Sequence, residues 1–250
     1  MAIALSLIIS MENMMTHNKQ AVGSNFDLQK MHIARDKTFE AVHAIAQQIT
    51  VGMSETDARE LAKDILVEMG MDRIWHQLLV RFGTNTLKKF NEPSEGNPIL
   101  QTNDIFFIDL GVVWDGHEGD AGATFTVGDD ADMIACARGC QIIYDEVEAH
   151  WRASRCSGRA LYEYAEQVAA KHGWRLNVEI RGHRVSDFPH AIYKAGNLGD
   201  FEGVPQLGLW ILEIQIAHPT KPYGAFYEDL LVQWVDQSTW LWLYCGAIER

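Results

Sequence analysis

The chain has 250 residues, 47% hydrophobic and 22% charged, with a formal net charge of −13. That length buries a real core in one large domain or two small ones, and the composition is that of a globular protein rather than a disordered one. The acidic balance argues against nucleic acid, whose phosphates call for basic surfaces.

The first residues, MAIALSLIIS, form an apolar run too short to span a bilayer. They lack a basic start and a clear cleavage site, so they read as a frayed end or a packing strand. Residues 1–25 are expected to be an N-terminal extension and 26–250 a single domain, with no membrane partner. An amphipathic pattern from Leu28 to Ile49 predicts the first helix, through Met31, Ile33, Ala34, Phe39, Val42, Ile45 and Ala46. Ser54-Glu55-Thr56-Asp57 has the form of a capping box. The helix it opens carries Ala58, Leu61, Ala62, Ile65 and Leu66 on one stripe and stops at Gly70.

Strands are predicted over Gln77–Phe82, over Ile105–Trp114 with a break at Gly111, and over Ala123–Val127, ended by Gly128-Asp129-Asp130. Two further helices follow, Asp132–Trp151 and Ser157–His172, the second ending at Gly173. SETDARELAKDILVEMG and SGRALYEYAEQVAAKHG align Ser54 with Ser157, Ala62 with Ala165 and Gly70 with Gly173. Either the chain is internally duplicated, or two ordinary amphipathic helices share common caps. Later strands are predicted over Leu176–Ile180, Leu209–Ala217, Ala225–Trp234 and Thr239–Tyr244. Helices then strands, twice over, imply an α+β fold with helices on one face of a largely antiparallel sheet.

Of the four cysteines, Cys136, Cys140, Cys156 and Cys245, none forms a C-x-x-C pair. Zinc-ribbon and thioredoxin readings therefore fail. Cys136 and Cys140 read as buried free thiols, and the set as that of a reduced, cytoplasmic protein.

Asp109 ends an apolar strand in FFIDLG, and Asp120 follows in GHEGDAGATF. A turn near Asp115-Gly116 would bring both carboxylates together, where they repel unless a cation lies between them. Taken alone, the pair also fits two independent turn or cap residues. His183 in RGHRV, Glu213 in LWILEIQIA and Glu228 in GAFYEDLLVQW tip the balance, since a Glu inside an apolar strand needs a partner. Two Asp, two Glu and one His suit two divalent ions such as Mn, Co, Fe or Zn. Two adjacent ions lower the pKa of a bridging water, supply hydroxide near neutral pH and polarise a carbonyl.

The order DLG…D…TF, GH…PH, E, then ED resembles the pita-bread metallopeptidases: methionine aminopeptidase, aminopeptidase P, prolidase and creatinase. The likeness runs from about Met31 to the C-terminus. It implies a curved, largely antiparallel sheet with pseudo-twofold duplicated helices. It also implies Asp109 on one metal, Asp120 and Glu228 bridging, and His183 and Glu213 completing the second. Glu213 would take the proton of the attacking water, and His190, matching the family's second histidine, would contact substrate and the tetrahedral intermediate. The implied reaction is hydrolysis of small peptides by a metal-bridged hydroxide, in an aminopeptidase or Xaa-Pro dipeptidase. The scaffold also allows a homodimer.

This sequence departs from the family in several places. Thr-Arg-Thr after the bridging Asp is replaced by Ala121-Gly122-Ala123-Thr124, and Glu-Pro-Gly by Glu213-Ile214-Gln215. The substrate histidine expected five residues after Asn85 is Phe90. His76 then reads as a pocket-wall residue on the substrate side, and Arg184, where a Gly is common, as a reader of a substrate carboxylate. Some of Trp75, Phe82, Phe90, Phe188, Tyr193 and Phe201 are expected to line an apolar pocket. Prolidase and aminopeptidase P usually carry an N-terminal domain before the catalytic one, and this chain is expected to have no room for it. A creatinase-like hydrolase of a non-peptide C–N bond is the alternative. A catalytically inactive binding protein is disfavoured because all five candidate ligands are present.

Overall fold

The computed structural model describes residues 19–190 and 195–232. The N-terminal apolar run, Tyr193, the strand expected over Thr239–Tyr244 and Cys245 lie outside the described residues.

Helix α1 spans Leu28–Ala46, and its N-cap Asp27 accepts from the amides of Gln29 and Lys30. It ends three residues short of the predicted Ile49. Helix α2, Glu55–Glu68, opens on the expected capping box: Ser54 and Asp57 each accept from the other's backbone amide. Helix α3 covers Ala131–Ser154, and α4 covers Gly158–Lys171 with Ser157 as N-cap. Helices α2 and α4 have 14 residues each. Each is followed by a glycine at positive φ, Gly70 (77°) or Gly173 (79°), the left-handed conformation that glycine adopts without strain.

The strands are β1 Arg73–Ile74, β2 Leu79–Phe82, β3 Asp104–Trp114, β4 His117–Val127, β5 Arg175–Leu176, β6 His183–Arg184, β7 Trp210–Ala217 and β8 Gly224–Leu230. Short 3-10 turns lie at Gly83–Leu87 and Leu198–Asp200. The sheet order is β1-β3-β4-β8-β7-β5, with β2 also paired to β3 and β6 to β7. Every pairing among the described strands is antiparallel. The duplication is visible in this topology. Each half runs helix, helix, two short strands, long hairpin, and the halves join at β4 and β8.

Strand boundaries differ from expectation at several places: β2 begins at Leu79 rather than Gln77, and β8 ends at Leu230 although the predicted strand runs to Trp234, which lies outside the described residues. β3 runs unbroken through Gly111, and β4 begins at His117 rather than Ala123. β5 stops at Leu176 because Asn177 turns the chain: its side chain accepts from the Glu179 amide and its carbonyl from the Ile180 amide.

Two apolar cores fill one face of the sheet. One packs Ala34, Val42, Ile45, Ala62 and Leu66 of α1 and α2 on Ile108, Leu110 and Ala121. The other packs Tyr144, Val147, Trp151, Leu161 and Ala165 of α3 and α4 on Trp210, Leu212 and Ile214. Burying each large aliphatic side chain contributes about 1.5–3 kcal/mol. The backbone before α1 is tied to the second half: Gln20 accepts from the Gln206 amide and Trp210 Nε1, and the Gly23 amide donates to Asp187. Cys136 and Cys140 are buried free thiols, as expected, and Cys156 is free and half-buried. No helix among the described residues is long and apolar enough to cross a membrane.

Candidate metal centre

The β3–β4 hairpin turns at Asp115 (φ 48°) and Gly116 (φ 72°), the two-residue Asp-Gly turn that suits twisted strands. Its register pairs Asp109 with Gly122 and Gly111 with Asp120. The other two junctions pair Gly122 with Glu228 and Glu228 with Glu213. Asp109, Gly122, Glu228 and Glu213 thus form one row across four strands. Alternation puts Asp120, two residues from Gly122, on the same face. A Cβ on Gly122 would sit 2.9 Å from Glu228 Oε1 and 2.6 Å from Phe226 Cε1. The glycine leaves the space that the carboxylates occupy.

All five expected ligands come together here, joined by His76. His183 Nε2 lies 2.9 Å from Asp120 Oδ2 and 3.2 Å from Glu213 Oε1. His76 Nε2 lies 3.1 Å from Asp120 Oδ1 and 3.6 Å from Asp109 Oδ1. Ligand atoms of His76, Asp109 and Asp120 lie within 4.8 Å of one another, as do those of Asp120, His183 and Glu228.

Electrostatics record the crowding. Burial, only partly relieved by His76, pushes Asp109 up to about 7. Burial and the neighbouring Asp120, Asp109 and Glu213 push Glu228 well above the usual carboxylate range. Burial alone would raise Asp120 as well, but the His76 and His183 imidazoles hold it below that range. Burial opposes charge on both histidines, yet Asp120 and Asp109 raise His76 to about 9, and hydrogen bonds to Asp120 and Glu213 lift His183 well above 6.5. Asp109 Oδ1, Asp120 Oδ2 and Glu228 Oε1 are buried with no aligned hydrogen-bond donor. Buried carboxylate oxygens without donors, facing imidazole nitrogens, are the donor set that a divalent cation satisfies, so these residues fit metal ions.

A cavity of about 310 Å³ opens over the cluster, lined by Trp75, His76, Leu79, Phe90, Phe107 and Phe226 among others. Of the six aromatics flagged by position, Trp75 and Phe90 reach it. Phe82 and Phe201 are core residues, and Phe188 packs under Arg73. Gln215, at the departure from Glu-Pro-Gly, donates to the carbonyls of Thr86 and Lys88, anchoring the loop that carries Phe90. Arg184 corrects an expectation. It is 2% exposed, is not among the cavity residues, and donates to the carbonyls of Lys19, Ala21 and Val185. Adjacent strand residues face opposite ways, so the neighbour of His183 points away from the site.

His190 does line the cavity. The residue that positions it, Glu118, escaped the sequence reading. Its Oε1 accepts from the His190 amide at 3.0 Å, and its Oε2 from His190 Nδ1 at 2.5 Å and the Ser186 amide at 3.0 Å. Its sequence signal was its place two residues before Asp120 on one strand, hence on one face.

Residues 29–232 match Metallopeptidase family M24. The chain belongs to that family, and its fold is the pita-bread fold. It is similar to the prolidase from Pyrococcus horikoshii, 18% identical over 85% of this chain and 60% of that one, with a TM-score of 0.66. The X-Pro aminopeptidase from Thermotoga maritima is 15% identical over 89% and 65%, also at 0.66. A dipeptidase from Pyrococcus horikoshii is 18% identical over 87% and 63%, at 0.66. The chain therefore spans less than two thirds of these structures' length. No curated protein matches it.

Proposed function

We propose that this chain is a dinuclear metal-dependent hydrolase of small peptides, an aminopeptidase or Xaa-Pro dipeptidase. The observation that carries this reading is the convergence of Asp109, Asp120, Glu213 and Glu228 on the His76 and His183 imidazoles, with Asp109 Oδ1 and Glu228 Oε1 buried and left without a hydrogen-bond donor. Asp109, Asp120, His183, Glu213 and Glu228 would hold two divalent ions of the Mn, Co, Fe or Zn group. Such ions, when bound, acidify water and polarise a carbonyl. Glu213 accepts the proton of the attacking water. Glu118 fixes the His190 ring by accepting from Nδ1, and in the doubly protonated ring Nε2 would donate a hydrogen bond to the developing oxyanion.

The cavity is at the small end of ligand sites and mostly apolar-walled, which favours a dipeptide-sized substrate. That the similar structures are a prolidase, an X-Pro aminopeptidase and a dipeptidase supports a peptide. Phe90, where those peptidases are expected to carry a histidine, favours the second reading, hydrolysis of a non-peptide C–N bond. Residues 26–250 form the catalytic domain in this reading. The free, buried thiols accord with a cytoplasmic setting.

The test is a chelator-stripped sample titrated with Mn²⁺, Co²⁺ and Zn²⁺, then assayed on Xaa-Pro dipeptides, Met-peptides, and guanidino and lactam compounds. Two ions per chain and turnover of a dipeptide are expected. No bound ion, or no dipeptide hydrolysed by the loaded protein, refutes the peptidase reading.

A further inference from the structure

His76 sits inside the ligand cluster, although its place in the sequence predicts only a cavity wall. Its Nδ1 lies 2.9 Å from the Gln77 carbonyl, so Nδ1–H donates there and Nε2 is left as the nitrogen that can bind an ion in place of its proton. That nitrogen faces Asp120 Oδ1 at 3.1 Å and Asp109 Oδ1 at 3.6 Å, the latter oxygen buried without a donor. A backbone carbonyl on one ring nitrogen is the usual device for orienting a metal-binding histidine.

His183 repeats the arrangement. Its Nδ1 faces the Arg184 carbonyl at 3.1 Å, and its Nε2 faces the other oxygen of Asp120. One imidazole thus stands at each oxygen of the same carboxylate. The two rings come from corresponding places in the duplicated topology, just before β2 and at the start of β6.

The seat of His76 is built rather than incidental. A Cβ on Gly111 would lie 1.8 Å from His76 Cδ2, so no other residue at 111 tolerates the ring. Trp75 and Phe90 meet the ring edge-on, with centroids at 4.5 and 5.3 Å.

We propose that His76 is a sixth metal ligand, joining Asp109 and Asp120 on one ion as His183 joins Asp120, Glu213 and Glu228 on the other. This rests on the dinuclear reading above and deepens it. An imidazole on each ion moves the first site's preference from Mn²⁺ toward Co²⁺, Fe²⁺ and Zn²⁺.

The experiment loads the stripped protein with Co²⁺ and counts strongly shifted, solvent-exchangeable imidazole N–H resonances by proton NMR. Ion affinities are measured by calorimetry in parallel. Wild type is expected to show two such resonances, and His76→Gln and His76→Ala one each, with one ion bound at least about 10-fold more weakly. His183→Gln should lose the other resonance. A single resonance in wild type overturns the proposal without any variant. Unchanged affinities for both ions in folded His76→Gln also overturn it, while leaving the dinuclear reading standing. Wild type that binds no Co²⁺ sinks the dinuclear reading itself.

Discussion

Glu118→Gln tests whether His190, the proposed catalytic histidine, is held by a carboxylate. Glu118 accepts three N–H donors with two oxygens: the His190 amide on Oε1, and His190 Nδ1 and the Ser186 amide on Oε2. It is 1% exposed, so water cannot replace any of them. A glutamine of the same shape has one oxygen and one NH₂. With the oxygen at the Oε2 position, its NH₂ meets the His190 amide head-on. With the amide flipped, it meets the Ser186 amide. Either way a buried donor faces a donor, at a cost of about 1–3 kcal/mol. For a chain of this size each kcal/mol lowers Tm by about 2–4 °C. The bond to His190 Nδ1 also loses its ionic character and about half its strength. A displacement of the ring costing about 1–2 kcal/mol at the transition state lowers kcat by about 5–30-fold. Thermal unfolding and steady-state hydrolysis, with metal content checked alongside, read both effects. Unchanged Tm and unchanged kcat in a metal-loaded sample would refute the positioning role.

Three further outcomes are expected. Gly122→Ala puts a methyl 2.6 Å from Phe226 Cε1 and 2.9 Å from Glu228 Oε1, so it should cost about 1–3 kcal/mol in denaturant unfolding and weaken ion binding in a titration. In metal-free protein, His76 is raised from 6.5 to about 9, so its stabilising contribution is full below pH 6.5 and fades as pH rises through 9. That shift corresponds to about 3 kcal/mol. Raised Asp109 likewise favours the folded state at low pH and loses that advantage by about pH 7. Tm of the stripped protein should therefore fall from pH 6.5 to 9, and saturating metal should raise Tm and flatten the fall; a flat profile without metal would contradict the His76–Asp120 geometry. Gln215→Leu removes the bonds to the Thr86 and Lys88 carbonyls and should raise KM and speed proteolysis within residues 86–92, and equal cleavage rates would show that the anchor is idle.

The helices were legible because their signals are local. Ser54 and Ser157 cap, Gly70 and Gly173 stop, and apolar stripes mark the buried faces. The Asp115-Gly116 turn was equally plain, and it set the register that unites Asp109 and Asp120. What was misread lies at the site. The first half of β4, His117 to Asp120, looks too polar for a buried strand because its face carries Glu118 and the candidate ligand Asp120 toward the cluster. Gly111 looks like a strand break because the space beside it belongs to a ring 35 residues away in sequence. Local rules fail where residues are chosen for a site rather than for the element that carries them. Arg184 failed the opposite way: nearness in sequence to His183 suggested a shared role, and strand alternation separates them.

The duplicated topology explains why the cluster sits where it does. Each half contributes a carboxylate from the first strand of its hairpin, Asp109 or Glu213, and one from the second, Asp120 or Glu228. Each also brings one histidine from beside its short strand, His76 or His183. The two hairpins pair at Gly122 with Glu228, reinforced where Thr124 Oγ1 exchanges hydrogen bonds with the Phe226 backbone. Four carboxylates meet at that seam, three of them buried, and burial together with their mutual repulsion raises Asp109 and Glu228. The two helix-covered cores lie on the opposite face and can bear that repulsion without relaxing the strands. A cation at the seam would convert the repulsion into binding energy, which ties ion affinity to the rigidity of the joint between the halves. Loosening that joint, by removing the Thr124 hydroxyl for instance, should therefore weaken ion binding even though Thr124 has no place among the candidate ligands.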